Sequence, residues 1–275
     1  MDGVWIKCSS QLCRKDLESL NLFDAHMPNN FLRAVMFDFG GTLMYGRNAW
    51  EPFIAKADEA LTTYLSSQGV ELNISTFPSE FRKRLDGYFK QRENDLLEST
   101  YTQVLREVLK EKGYDDVSSD VLRNALGALF AVTQSNWALE EDAIPTLKKL
   151  EESGYRLGII SNAGDDQDVQ QLTRKFKIRQ YFDFILTSAA CSYRKPHPRI
   201  FELALANWYL LPSEAVMVGD NLTADIQGAQ KSGLYGVWIS RRADPQMEKQ
   251  EAVSPAASMT SLSELPGILD RLQVK

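Results

Sequence analysis

Short apolar runs alternate with helical patterns over much of this chain, and this alternation determines the fold class that we predict. The runs lie at residues 34–39, 156–160, 184–186, 215–218 and 235–239. Alternating strands and helices predict parallel strands joined by right-handed crossovers. The predicted fold class is therefore α/β, with a doubly wound parallel sheet. In such a sheet a functional site is expected where the carboxyl ends of the strands meet.

A purely helical stretch interrupts the alternation between about residues 50 and 139. Apolar residues recur there at three- and four-residue spacing in four successive segments, which indicates four amphipathic helices. The aromatic residues of these segments follow the same spacing. We interpret most of them as packing residues in a helical core.

These patterns divide the chain into three predicted parts. Residues 1–33 form an extension, residues 34–45 and 141–275 form an α/β core, and residues 46–140 form an inserted helical cap domain. The segment Pro245–Met259 is rich in small and polar residues, a composition typical of a flexible tail.

Composition excludes several classes of function. The chain has 275 residues, of which 44% are hydrophobic and 25% charged, as in ordinary globular proteins. Its net charge of −6, without a dense basic tract, argues against nucleic-acid and membrane partners. No apolar run approaches the length of a membrane span. Cys8, Cys13 and Cys191 form no CxxC pair and favour a reducing compartment. We expect a cytoplasmic protein with a small-molecule partner.

The first apolar run ends at Asp38, which is followed by Gly40, Gly41 and Thr42. Two glycines allow a sharp turn, and the threonine supplies a hydroxyl beside the carboxylate. A carboxylate in this position suits a nucleophile or a metal ligand. Aspartates also end many strands by accepting hydrogen bonds from turn amides, and this structural role is the alternative.

Three later segments place similar chemistry at strand ends. Ser161 and Asn162 end the second run, Lys195 follows the third, and Asp220 and Asp225 follow the fourth. Carboxylates suit Mg²⁺, a lysine suits a phosphoryl group, and serine and asparagine can donate to phosphate oxygens. Asp225 has the alternative of capping a helix or bonding to Lys195. Together these segments predict a site for phosphate and a hard cation.

Four segments resemble the motifs of the haloacid dehalogenase (HAD) superfamily. They are Asp38–Leu43, Gly158–Asn162, Arg194–Phe201 and Gly219–Ala229. The resemblance covers roughly Ala34 to Gly267. It implies a HAD-like Rossmannoid core, and the helical insertion corresponds to the mobile cap of the first class in that superfamily.

The resemblance also implies roles for individual residues. Asp38, Ser161 and Lys195 would be catalytic, with an aspartyl-phosphate forming on Asp38. Mg²⁺ would be held by Asp38, the backbone carbonyl of Gly40 and Asp220. The residues implied in substrate binding are Thr42, Ser161, Asn162 and Lys195. The implied supporting residues are Gly41 and Asp225.

One position departs from the family pattern. Phosphatases of the family usually carry a second aspartate two residues after the nucleophile, where it serves as general acid and then base. This chain has Gly40 there. A positioned acid or base contributes about 10²–10⁴ in rate, so low activity is expected unless another residue substitutes. Asp165, Asp166 and Tyr45 are candidates, although helix capping for the two aspartates and packing for the tyrosine are the favoured interpretations.

The first functional hypothesis is a Mg²⁺-dependent phosphatase acting on a small phosphorylated metabolite. Haloacid dehalogenases also lack the second aspartate, but they lose the aspartate that matches Asp220. Phosphonate-cleaving members have a small residue at the Gly40 position and use a cap lysine, for which Lys56 is the candidate. A weakly active or inactive protein that binds a phosphorylated ligand is the alternative outside catalysis.

Overall fold

The computed structural model describes residues 31–242 and 253–273. Its strands are β1 (Ala34–Phe37), β2 (Met44–Gly46), β3 (Trp137–Leu139), β4 (Arg156–Ser161), β5 (Phe184–Thr187), β6 (Ala215–Gly219), β7 (Tyr235–Ile239) and β8 (Ala257–Met259). Its helices are α1 (Glu51–Ser67), α2 (Phe77–Asp95), α3 (Tyr101–Glu111), α4 (Ser119–Thr133), α5 (Ala143–Glu152), α6 (Asp166–Lys175), α7 (Ser188–Cys191), α8 (Pro198–Ala206), α9 (Gly228–Lys231) and α10 (Leu265–Gln273).

Six parallel strands form the central sheet in the order β5-β4-β1-β6-β7-β8. The central strand β1 is completely buried, which is why its sequence is continuously apolar rather than alternating. Val35 and Phe37 pack in the hydrophobic cluster on one face, and Ala34 and Met36 pack in the cluster on the other. The predicted α/β, doubly wound fold is confirmed.

The predicted helical insertion consists of α1, α2, α3 and α4, which enclose a hydrophobic cluster of their own. Side-chain hydrogen bonds cap the N-termini of two of these helices. Thr100 and Gln103 form a capping box before α3, and Ser118 accepts the Val121 amide at the start of α4. No described helix combines the length and apolar character needed to cross a membrane.

A short antiparallel ribbon carries the chain into and out of these helices. It is formed by β2 and β3, in which Met44 pairs with Leu139 and Gly46 with Trp137. The predicted boundaries at 45/46 and 140/141 fall within or beside this ribbon, and the division into core and cap remains a prediction. The ribbon places Trp137 close to the turn that follows β1.

The predicted flexible tail is wrong at its end. Ala257–Met259 forms β8 and pairs in parallel with Val237–Ile239 of β7. Three small or flexible residues carry little strand propensity, so the pairing depends on a tertiary partner about twenty residues away in the chain. Residues 245–252 of the predicted tail and residues 1–30 of the predicted extension lie outside the described residues. Leu32, which follows that stretch, is buried in the core.

Candidate active site

The carboxyl ends of β1, β4 and β6 meet at a cavity of about 450 Å³. Asp38, Ser161, Lys195 and Asp220 all line it, although they come from four separate segments of the chain. Asp38 and Ser161 are almost fully buried, each at a strand end. The convergence expected from strand order therefore occurs in the structure.

Lys195 lies at the floor of the cavity and is only 3% exposed. Its Nζ donates to Asp38 Oδ1 at 2.6 Å and to the carbonyl of Ile160 at 2.7 Å. It also forms an ion pair with Asp225 Oδ1 at 2.7 Å. Burial by itself lowers the pKa of this ammonium, but the charges of Asp225 and Asp38 outweigh that effect and raise the pKa. Lys195 is therefore a fixed positive charge beside the proposed nucleophile.

The Asn162 side chain positions Lys195 from the neighbouring strand. Asn162 Oδ1 accepts the backbone N–H of Lys195 at 2.8 Å, and its Nδ2 donates to the Lys195 carbonyl at 2.9 Å. Both polar atoms of the amide are thus engaged with protein backbone. Asn162 also lines the cavity, but the contacts observed are those of a positioning residue.

Asp38, Asp220 and Asp225 form a cluster in which one carboxylate oxygen of each lies within 4.8 Å of the others. Burial and the neighbouring charges of Asp38 and Asp225 raise the pKa of Asp220 to about 8. Burial, with repulsion from Asp38, raises the pKa of Asp225 to about 6 against the attraction of Lys195. Oxygen ligands in a charge-crowded site of this kind are the donor set that Mg²⁺ prefers.

The loop after β6 is shaped by hydrogen bonds to its own backbone. Asn221 Oδ1 accepts the N–H groups of Thr223 and Ala224, and Asp225 Oδ2 accepts the N–H of Asn221. A Cβ on Gly219 would lie 2.2 Å from the Asp225 carboxyl group, so only glycine fits there. Asp225 therefore bonds both to Lys195 and to the loop after β6. This geometry suits its predicted supporting role.

Gly41 has a left-handed φ of +87°, and a Cβ there would lie 2.3 Å from Asp220 Oδ2. Both facts require glycine at this position. Gly40 does not have a left-handed φ, but a Cβ there would lie 3.1 Å from the Trp137 ring. Thr42 is fully buried, and its hydroxyl has no hydrogen-bond partner among the described residues.

Three aromatic side chains from the inserted segment also line this cavity, namely Tyr101, Phe130 and Trp137. We call them the aromatic wall. The ring centroids of Tyr101 and Phe130 are 5.3 Å apart. Phe130 and Tyr101 also pack in the hydrophobic cluster of the insertion, as their helical spacing predicts. Periodicity does not indicate that they line a cavity as well. Close approach of Trp137 to Gly40 has no signal in the sequence.

The predicted substitutes for the missing acid lie in different places. Asp165 lines the cavity but caps α6 by accepting the N–H of Asp168 at 2.9 Å. Asp166 accepts the Thr187 hydroxyl at 2.8 Å, and Tyr45 packs 4.0 Å below the Arg242 guanidinium. Asp168, which sequence analysis missed, also lines the cavity.

Burial, together with repulsion from Asp165, raises the pKa of Asp168 to about 6. Its carboxylate accepts a hydrogen bond from Gln134 Nε2 at 2.8 Å, at the end of α4. Asp168 is thus a carboxyl group at the boundary between the helical insertion and the sheet. A group with this pKa can hold or release a proton near neutral pH.

A polar clasp ties the segment after α2 to the loop that carries Lys195. Glu98 is buried and accepts hydrogen bonds from Arg92, Arg194 and Ser188. Burial lowers the pKa of the Arg194 guanidinium despite the nearby Glu98 charge. The backbone N–H of Glu98 donates to Ser192, and that of Arg194 donates to Leu96.

Comparison with known proteins places this chain in a family. A sequence profile described as haloacid dehalogenase-like hydrolase matches residues 32–233. The chain spans about half the length of several curated relatives. One is the glyceraldehyde 3-phosphate phosphatase of Pyrococcus furiosus, which is 32% identical over 130 residues, covering 46% of this chain and 52% of that protein.

Two solved structures resemble the whole described fold. A 2-haloacid dehalogenase from Pseudomonas syringae is 28% identical, with a TM-score of 0.61, covering 88% of this chain and 99% of that one. A HAD phosphatase from Thermococcus onnurineus is 25% identical, with a TM-score of 0.58, covering 86% of this chain and 98% of that one. The profile match covers well over half of the chain. The protein therefore belongs to the haloacid dehalogenase-like hydrolase family.

Proposed function

We propose that this protein is a Mg²⁺-dependent phosphatase that hydrolyses a small phosphorylated metabolite through an aspartyl-phosphate on Asp38. The observation that carries the proposal is the cluster of Asp38, Asp220 and Asp225 at the cavity, in which Asp38 and Asp225 also pair with the buried Lys195. The phosphatases among the matched proteins add support.

The residues of the cluster fit Mg²⁺. Asp38, Asp220 and the carbonyl of Gly40 would hold it, while Asp225 pairs with Lys195. Like charges and burial leave Asp220 with a raised pKa, and a cation in contact with this carboxylate would relieve that repulsion. When bound, Mg²⁺ would offset the negative charge of the phosphoryl group and of the nucleophile.

The proposed reaction has two displacements at phosphorus. Lys195 binds Oδ1 of Asp38, so we assign Oδ2 to the attack. A bond forms between Oδ2 and phosphorus, the ester P–O bond breaks, and the alcohol oxygen leaves with the electron pair and takes a proton from solvent. Water then attacks phosphorus and gives a proton to solvent, the bond between phosphorus and Oδ2 breaks, and the carboxylate is regenerated as phosphate is released. Lys195 and Ser161 hold the phosphoryl oxygens in both steps.

Binding of Mg²⁺ should strengthen as the pH is raised from 6 to 8. The pKa of Asp220 is raised to about 8 by burial and by its carboxylate neighbours, so metal binding at lower pH must displace a proton. Affinity should rise by up to about tenfold per pH unit over this range. Titration calorimetry with MgCl₂ measures this without relying on turnover.

Asp220→Asn is the matched variant for this experiment. The amide copies the shape of the protonated carboxyl group, so binding should be weak and nearly independent of pH. Asp120→Asn, at a side chain that is 81% exposed, should behave as the unmodified protein does. Equal Mg²⁺ affinity at pH 6 and pH 8 in the unmodified protein would argue against Asp220 as a ligand.

Gly40→Asp should raise the hydrolysis of alkyl phosphates by at least about tenfold, because it restores a carboxyl group near the leaving oxygen. The backbone permits the change, since the left-handed conformation belongs to Gly41. Trp137 must move by a few tenths of an ångström to admit the new Cβ. Gly40→Ala is the control that adds the Cβ without the carboxyl group, and thermal unfolding monitors the stability of both variants. No gain over Gly40→Ala would refute the missing-acid explanation.

A dehalogenase is the second candidate, because one matched structure is a 2-haloacid dehalogenase and because halide needs no proton to leave. The acidic cluster argues against it, since Asp220 and Asp225 add charge near the nucleophile that halide displacement does not use. Phosphonate cleavage has less support. Lys56 is exposed and is not among the described residues that line the cavity.

A panel of substrates tests these functions together. It contains small phosphate esters, phosphonates and 2-chloropropionate, each assayed with Mg²⁺ and with a chelator. Phosphate release that depends on Mg²⁺ is the expected result. Chloride release in the presence of chelator would replace the phosphatase with the dehalogenase. Ligand binding without any turnover would replace both with a binding protein.

A further inference from the structure

The aromatic wall is held in place by tight packing around Trp137. The Trp137 ring lies 4.9 Å from that of Trp50 and 6.5 Å from that of Phe39, measured between centroids. Gly46 makes room for Trp50, because a Cβ there would lie 2.8 Å from the indole. Gly40 leaves room for Trp137 with a smaller margin, because a Cβ there would lie 3.1 Å from the ring and would require a shift of only a few tenths of an ångström. The two indoles are therefore positioned over two residues without side chains.

Gly40 thus has two consequences at one point of the cavity. It removes the carboxyl group that would protonate a leaving oxygen. It also leaves room for the Trp137 indole beside the turn that follows Asp38. A leaving group suited to this site has a face that packs on aromatic rings and an oxygen that departs without a proton donor at position 40. Phenolic oxygens meet both conditions, because a phenol has a pKa near 10 and its anion is a far better leaving group than an alkoxide.

The charged groups on the lining agree with a leaving group that carries no further negative charge. Asp165 and Asp168 both face the cavity and would repel a second anionic group. Arg194 also lines it, but its guanidinium is paired with the buried Glu98. Val169 and Leu172 extend the apolar part of the lining.

We propose that the substrate class is an aryl phosphate whose ring packs against Tyr101, Phe130 and Trp137; this inference rests on the phosphatase function proposed above. Attack by Asp38 Oδ2 forms the new P–O bond, the aryl ester bond breaks, and the aryl oxide leaves with the electron pair. The aryl oxide then takes a proton from water. No acid at position 40 is required for this departure.

Binding of two inert phosphonates tests ring recognition apart from catalysis. Phenylphosphonate and methylphosphonate differ in the ring and keep the same anionic group. With Mg²⁺ present, calorimetry should show phenylphosphonate binding at least about tenfold more tightly, since aromatic contacts add to apolar burial. Trp137→Ala should reduce this preference to about threefold or less. Equal binding of the two phosphonates to the unmodified protein would overturn the proposal.

Matched variants separate recognition from folding. Trp137→Phe keeps a ring and should retain most of the preference, and Trp137→Leu keeps apolar volume without a ring and should lose it. The leucine variant carries the test if Trp137→Ala does not fold. Tyr209→Ala removes an aromatic residue that is 96% exposed and should leave the preference unchanged. A preference that survives in Trp137→Leu would also overturn the proposal.

Kinetics distinguish failure of this inference from failure of the phosphatase function. Acetyl phosphate has a good leaving group but no ring, whereas phenyl phosphate has both. Trp137→Leu should lower kcat/KM for phenyl phosphate by at least about tenfold and for acetyl phosphate by less than threefold. An equal loss on both substrates would overturn ring recognition while leaving the phosphatase intact. Preferential binding of phenylphosphonate without hydrolysis of either ester would support ring recognition and refute the phosphatase.

Discussion

Asp38→Asn should reduce the hydrolysis of any substrate that the protein turns over by at least about 10⁴-fold, because the amide keeps the shape of the side chain and removes the negative charge that makes the oxygen a nucleophile. The same change should abolish the acid-stable phosphoprotein that forms when the unmodified protein is quenched during turnover. Steady-state kinetics measures the first effect, and acid quenching with ³²P-labelled substrate measures the second.

Asp120→Asn is the control for this change, since it makes the same substitution at an exposed aspartate and should leave both measurements unaltered. Thermal unfolding should confirm that the Asp38 variant is folded, because Lys195 keeps its ion pair with Asp225. Turnover of the Asp38 variant within tenfold of the unmodified protein would rule out the covalent mechanism.

Lys195→Met should strongly reduce activity and also destabilise the fold. The change leaves Asp38 and Asp225 buried without their shared cation, and removal of one partner from a buried ion pair costs about 3–5 kcal/mol in the free energy of unfolding. Loss of the positive charge beside the phosphoryl group should lower kcat by at least about 10²-fold. Chemical denaturation and phosphate-release kinetics measure the two effects.

The pH dependence of this variant identifies the cause of its instability. Burial raises the pKa of Asp225 to about 6, and loss of the attraction from Lys195 raises it further. A carboxyl group whose pKa is higher in the folded than in the unfolded protein stabilises the folded state at low pH. This stabilisation is lost as the pH rises through the pKa of the folded state. The difference in the free energy of unfolding between the variant and the unmodified protein should therefore become smaller as the pH is lowered from 8 to 5. Lys231→Met, at an exposed lysine, should show no such gap.

The strands that build the site were predictable because they are buried on both faces. A parallel strand such as β1 must be apolar along its whole length, and that pattern is local in the sequence. The strands β2, β3 and β8 have three residues each, and they depend on partners that are distant in the chain. Propensity over three residues carries too little information to indicate them.

The charged part of the site was predictable for the related reason that strand ends converge in a parallel sheet. Asp38, Lys195 and Asp220 follow strands, so their meeting follows from topology. The roles of other residues depend on tertiary detail. Asn162 bonds to the Lys195 backbone, and Thr42 is buried. Neither the hydrogen bond nor the burial is indicated by the sequence.

The aromatic wall shows a different limit of sequence patterns. Tyr101 and Phe130 lie on amphipathic helices, where the same spacing serves a helical core and a cavity lining equally well. Trp137 lies on a strand of three residues, and its contact with Gly40 spans almost one hundred residues of chain.

The polar clasp at Glu98 differs from an apolar contact in what its separation costs. An apolar interface that is pulled apart exposes hydrocarbon to water, and reclosing is then strongly driven. Charged groups that are pulled apart gain hydration instead, so separation of Glu98 from Arg194 is largely compensated by solvent. A contact of this kind therefore costs less to separate than an apolar interface of the same area. Because Arg194 directly precedes Lys195, any displacement of Arg194 would also act on the side chain that donates to Asp38.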